Sequence, residues 1–261
     1  MHRSTPYSPT ISDILKVRRY FTLITHPLPT ELTDVILNEA SYWAHSSITV
    51  NEVRSVTNGS ELYLRTLPLA CPQTEGNFTL AARDVASPSL PQTSAHPCRM
   101  IEFQIWGHDQ GWSSYPEDHG THNESWTWFS ARVEEPIELP ASSCMEGSGS
   151  AQSPTLPATF KPKDLGPPSD RTRGFVDVQT NIHAKGETTQ HTVTWHYLDS
   201  VDEGSPAAKK ASVRGQNWKA LDGKIVNGMR PGDCIALWIN ARYPGWRCTI
   251  EKAKITVYWA V

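Results

Sequence analysis

The sequence predicts a mainly β protein, an antiparallel β-sandwich or jelly roll with a small helical cap at its N-terminus. Short runs in which apolar and polar residues alternate recur from residue 48 to the end, as half-buried strands require. The 20 prolines fall mostly between these runs, where loops and strand edges tolerate them. Helical spacing is confined to the first 45 residues or so, which sets the expected division into a cap at 1–45 and a β domain at 46–261.

The first helix is expected over ISDILKVRRYFTLI, residues 11 to 24. Ile11, Ile14, Leu15, Val17 and Phe21 lie near helical spacing, and Thr10 or Ser12 can cap it. After His26-Pro27-Leu28-Pro29, Thr30 opens a second helix, with Glu31 and Asp34 complementing its dipole. Leu32, Val35, Ile36, Glu39, Ala40 and Trp43 supply its expected apolar stripe. Helices this short are marginal alone, so both must dock on the β domain. Two strands follow, ITVNEVRSV and ELYLRTLPL, on either side of Asn58-Gly59, a strong hairpin signal. Residues 71–99 read as a long loop with room for a short strand at Phe78–Ala82, and residues 135–173 as a second long loop.

Met100 to Glu134 is the densest part of the chain. Ile101, Phe103 and Ile105 alternate with Glu102, Gln104 and Trp106; Thr127, Phe129, Ala131 and Val133 alternate with Trp126, Trp128, Ser130 and Arg132. Between them lies a loop rich in Gly, Asp, His, Ser, Asn and Trp, residue types that turns and binding loops use. Four further strands are expected in GFVDVQTNIHA, HTVTWHYLD, DCIALWINAR and AKITVYWAV, with no helices between them. In the first of these, Asp177, Gln179, Asn181 and His183 should face outward; in the third, Trp238, Asn240 and Arg242.

The outward faces suggest a binding site. Trp106, Trp126, Trp128 and Trp238 would form an aromatic floor, and Gln104, Arg132, Asn181, His183, Asn240 and Arg242 its polar anchors. Trp112 and Trp246 complete the candidate substrate-binding set. The same tryptophans could instead form a second core beneath the helices or loops. Asp109, His119 and His183 are candidate acids. Asp118, His119 and His122 invite a metal reading but lack the spacing of a defined site, so no metal is expected. No G-x-S-x-G, P-loop or GxGxxG occurs, and no cofactor is expected.

Net charge is −3, and the Lys and Arg residues are scattered, which argues against nucleic acid. No apolar run reaches the length of a bilayer span. The N-terminus lacks an apolar signal region, and the 5 cysteines show no zinc spacing, so an intracellular, cytoplasmic protein with reduced thiols is expected. A Cys71–Cys98 or Cys234–Cys248 bridge and a homodimer are left open.

LPTELTDVILNEASYW (Leu28 to Trp43) resembles an N-terminal helical element frequent in filamentous-fungal proteins. HDQGWSSYPEDHGTHNESWTWFSARV, TNIHA and RPGDCIALWINARYPGW resemble the β domain that usually follows it. The functional members to which this group is similar are fungal hetero-Diels–Alderases of tropolone-sesquiterpene pathways. That resemblance implies an enzyme that joins a reactive quinone methide to a humulene-type alkene, forming a dihydropyran without a cofactor. The residues are compatible with that chemistry: Arg242 or His183 would donate a hydrogen bond to the quinone-methide oxygen, and His183 or Asp109 would be the acid that helps expel water from a hydroxymethyl precursor. The competing classes are a carbohydrate-binding jelly roll and a protein-interaction module built on the helical cap.

Overall fold

The computed structural model describes residues 9–70, 96–137, 159–163 and 174–261. Among these residues, ten strands form two antiparallel sheets. Sheet A joins β1 (Ala44–Val50), β10 (Cys248–Trp259), β4 (Cys98–His108) and β8 (Thr189–His196) in that order, with β2 (Arg54–Val56) also on β10. Sheet B joins β3 (Gly59–Arg65), β9 (Cys234–Ala241) and β5 (Thr127–Pro136), and β5 carries both β6 (Phe160–Pro162) and β7 (Val176–Thr180) on its far edge. Without the three-residue strands β2 and β6, the longer strands run first, eighth, third, sixth in one sheet and second, seventh, fourth, fifth in the other. That interleaving is the jelly-roll order. The mainly β expectation holds.

Alternation sets the core. Ile101, Phe103 and Ile105 of β4, Phe129 of β5, Ile235, Leu237 and Ile239 of β9, and Ile250, Ala253 and Ile255 of β10 are all fully buried. Gly107 of β4 lies directly against the Phe129 ring of the facing sheet. A Cβ there would stand 2.7 Å from Cζ of Phe129 and 2.6 Å from the carbonyl oxygen of Thr249, so only glycine fits.

Both N-terminal helices form where expected, α1 at Ile11–Leu23 and α2 at Thr30–Glu39. Thr10 caps α1 in a reciprocal box with Asp13, which satisfies backbone donors the helix itself leaves open. An Arg18–Asp34 ion pair links the helices, and Ile14 and Leu37 belong to the same buried cluster as the strands. Trp43 donates its indole N–H to Asn38 Oδ1 at 3.0 Å and packs on His196 and Tyr197. The stripe expected for α2 is wrong in part: Leu32, Val35 and Ile36 are exposed, whereas Thr33 and Leu37 on the next face are buried.

Other expectations are corrected. Asn58-Gly59 makes no hairpin, because β2 pairs with β10 and β3 with β9. The bend there carries the chain from one sheet to the other, and Gly59 at φ 97° permits it. Helices do occur between the later strands: α3 (Pro206–Val213) and α4 (Lys224–Gly228) lie between β8 and β9. Ser205 caps α3 and Pro206 occupies its first turn, a start signal present in the sequence but not read from it. The ends of both expected long loops are strand, since β4 begins at Cys98, β5 extends to Pro136, and β6 falls inside the second. The strand weighed at Phe78–Ala82 lies outside the described residues. Cys248 carries a buried thiol and is not bridged to Cys234, and Cys98 is likewise a thiol. Among the described residues no helix is long and apolar enough to cross a membrane.

Candidate functional site

The thirteen candidate site residues divide among three places, because β4 and β5 belong to different sheets. Gln104 and Trp106 lie on the outer face of sheet A. Trp126, Trp128, Arg132, Trp238, Asn240 and Arg242 share the outer face of sheet B. Asp109, Trp112, Asn181, His183 and Trp246 belong to the loops at one end of the sandwich. The single floor expected from the sequence therefore does not exist; its sheet B portion does.

The sheet B face follows from register. Trp128 pairs with Asn240 and Ser130 with Trp238 across β5 and β9, so alternation in both strands puts these residues on one side. Arg132 lies 5.1 Å from the centroid of the Trp238 ring and 4.6 Å from that of Phe175, a guanidinium between two aromatic faces. Its terminal nitrogen donates to Glu134 Oε1 at 2.7 Å, while Arg65 Nε donates to Glu134 Oε2 at 2.6 Å. Glu134 is 1% exposed, so this double pairing offsets the cost of burying its charge. Asn240 donates to Ser130 Oγ at 2.9 Å and accepts from Ser60 Oγ at 2.6 Å. Two buried donors on this face have no acceptor among the described residues, Nε1 of Trp238 and Nε of Arg132. At the Trp126 end, Arg242 is exposed and stands 5.0 Å from the Trp126 ring centroid.

The loop cluster corrects a second expectation. Strand β7 ends at Thr180, so alternation cannot be carried on to Asn181 and His183, and both are fully buried rather than outward. Asn181 Nδ2 reaches the His108 carbonyl, Thr127 Oγ1 and Cys248 Sγ, tying the ends of β4, β5 and β10 together. Asp109 accepts from the backbone N–H groups of Gly111 and Ala184, each at 2.8 Å. Burial pushes its carboxyl above the ordinary range, opposed by those two donors and by the nearby His183. His183 sits between Asn123, Ser113, His119 and Trp246. Trp112 is exposed. The metal reading of Asp118, His119 and His122 finds no convergence: His119 stacks toward His183, His122 bonds the Thr180 carbonyl, and no three ligating groups gather among the described residues.

An open cleft of about 340 Å³ went unread in the sequence; His122, Gln179, Gln190, His191, Arg214 and Gln216 are among the residues lining it. His191 Nε2 and Thr189 Oγ1, buried atoms of two lining residues, have no hydrogen-bond partner among the described residues. Burial lowers the His191 pKa to about 4, with His122 and Lys185 adding to the shift. No local sequence pattern marks this cleft, since its residues come from four separate segments.

Neither family models, curated proteins nor solved structures show a match to this chain. A jelly roll hosts many unrelated activities, so function has to be argued from the sites themselves.

Proposed function

We propose that the chain is a cofactor-independent cyclase, a hetero-Diels–Alderase that joins a tropolone-derived quinone methide to a humulene-type alkene on the outer face of sheet B. The observation that carries this reading is the wall of Trp128, Trp238, Phe175 and Arg132, in which the buried Trp238 Nε1 and Arg132 Nε have no acceptor among the described residues. A cycloaddition needs two apolar partners held in reacting geometry, and most of the gain comes from lost translational freedom and excluded water. Donors fixed beside the quinone-methide oxygen stabilise the charge that develops there. Arg132 and Trp238 join Arg242 in that role. His183 and Asp109, expected as acids at the same place, belong instead to the loop cluster.

The experiment is product formation from a hydroxymethyl tropolone precursor and humulene, followed by chiral chromatography. Wild type should give one stereoisomer faster than buffer. Trp238→Phe, which removes only the indole donor and part of the ring, should lower the rate with little change in fold. A wild type that matches buffer in rate and isomer ratio would end this reading.

The cleft favours a second reading, a carbohydrate-binding jelly roll. Planar amides from Gln179, Gln190 and Gln216, together with His191 Nε2, suit sugar hydroxyls better than hydrocarbon. A glycan array separates the two, because apolar ligands alone should bind if the cyclase reading is right.

A further inference from the structure

Ser113 Oγ lies 2.6 Å from His183 Nε2, and the other ring nitrogen, Nδ1, lies 2.8 Å from the backbone carbonyl oxygen of Asn123. A carbonyl can only accept, so the proton of neutral His183 is on Nδ1 and Nε2 presents its lone pair to the serine hydroxyl. That is the tautomer a general base needs. The ring is held on its remaining sides. Trp246 packs edge-on at 5.2 Å and 76°, His119 lies 5.7 Å away, and the His183 backbone is bonded to Gly120 and Thr121. His183 is fully buried, whereas Ser113 is half-buried and flanked by the exposed Trp112 and Tyr115. The Tyr115 backbone N–H donates to Ser113 Oγ at 2.9 Å, which fixes the hydroxyl and directs its own proton at His183 Nε2.

We propose that Ser113 and His183 form a nucleophile–base pair that accepts an acyl group from a carboxylic ester, with the Asn123 carbonyl orienting the imidazole. Ser113 Oγ attacks the ester carbonyl carbon while its proton passes to His183 Nε2. The tetrahedral intermediate collapses as the ester C–O bond breaks, and the leaving alkoxide takes that proton from His183 and departs as an alcohol. Water then attacks the acyl-serine with His183 again as base, releasing the acid and restoring both residues. Trp112 and Tyr115 favour an aromatic or otherwise apolar ester. A carbonyl in place of the usual carboxylate gives the imidazolium less support than a full triad does, so turnover is expected to be slow. This activity stands independently of ligand binding on sheet B.

The test uses the full chain with a fluorophosphonate probe and with p-nitrophenyl acetate. The probe should add once, on the peptide carrying Ser113, and the ester should release a burst of p-nitrophenolate equal to the enzyme concentration. Ser113→Ala should abolish the adduct and the burst. His183→Gln keeps a hydrogen bond to Asn123 but is no base, and should slow labelling by about 100-fold. Should the buried His183→Gln fail to fold, as a melting curve would reveal, the wild type and Ser113→Ala decide alone. Absence of labelling in folded wild type, or equal labelling in Ser113→Ala, overturns the proposal and leaves Ser113 as a prop for the imidazole.

Discussion

The two outer faces of the sandwich obey the same alternation and end in opposite environments. On sheet A the outward residues are hydroxyls and long polar chains: Ser47 bonds the buried Thr256 at 2.8 Å, Ser55 bonds the buried Thr249 at 2.9 Å, and Glu102, Gln104 and Lys254 fill the rows between. Its one tryptophan, Trp106, lies under the Lys252 ammonium at 4.8 Å. On sheet B the same positions hold Trp128, Trp238 and Arg132, with Ser130, Glu134, Ala236 and Asn240 almost inaccessible. Hydroxyl pairs and an isolated cation–π contact satisfy one another across the strands and leave no polar group waiting for a partner. A face with a paired buried carboxylate and one indole and one guanidinium donor left over is built to be covered. Periodicity reports which side of a strand a residue is on, and nothing about what lies over that side.

Truncation along β5 separates core from outer face most sharply. Phe129→Ala empties a fully buried site against Gly107 and should cost about 3–5 kcal/mol, read as the shift of a denaturant midpoint. Glu134→Gln should come next, at about 3 kcal/mol, because it leaves Arg65 and Arg132 without their shared counter-charge. If that variant melted like wild type, the sheet B face would be solvated after all.

The His191 site tests where the core of sheet A gives way to the cleft. Its folded pKa, about 4, lies below the ordinary value of 6.5, so in the window between them the unfolded chain binds the extra proton. Stability should therefore be fully present above pH 6.5 and fall as the pH drops toward 4, by about 3 kcal/mol in all. Asp109, shifted upward by burial, acts in the opposite sense at the acid end of this window. Comparing wild type with His191→Gln by urea titration at pH 4, 5, 6 and 7 isolates the histidine; parallel curves would show that it does not titrate as a buried group.

Smaller effects complete the contrast. Trp128→Ala should cost about 1–2 kcal/mol, below Phe129→Ala, since the ring is half-buried and its main polar partner is the Asp177 carboxylate. Ligand affinity should suffer more. Lys252→Ala on sheet A should change stability by only about 0.5 kcal/mol and leave any activity intact. A Trp128→Ala variant as unstable as Phe129→Ala would make the outer face of sheet B a second core rather than a binding surface.

By itself the sequence determined most of the longer strands, the two N-terminal helices and the sidedness of β4, β5 and β9, because these depend on local periodicity and capping. The run through Gln179, Asn181 and His183 was the exception, since all three are buried. Trp126, Trp128, Arg132, Trp238, Asn240 and Arg242 could be grouped correctly because β5 and β9 are neighbours. Tertiary structure alone decided that β4 is in the other sheet, which removed Gln104 and Trp106 from that group. It also decided that Thr33 and Leu37, not Leu32, Val35 and Ile36, are buried on α2, a choice between adjacent helix faces that hydrophobicity does not settle. Ser113, Asn123 and His183 meet only because three loop segments converge at one end of the jelly roll. Such contacts join residues 60 and 70 positions apart, and no local pattern encodes a distance through space between loops.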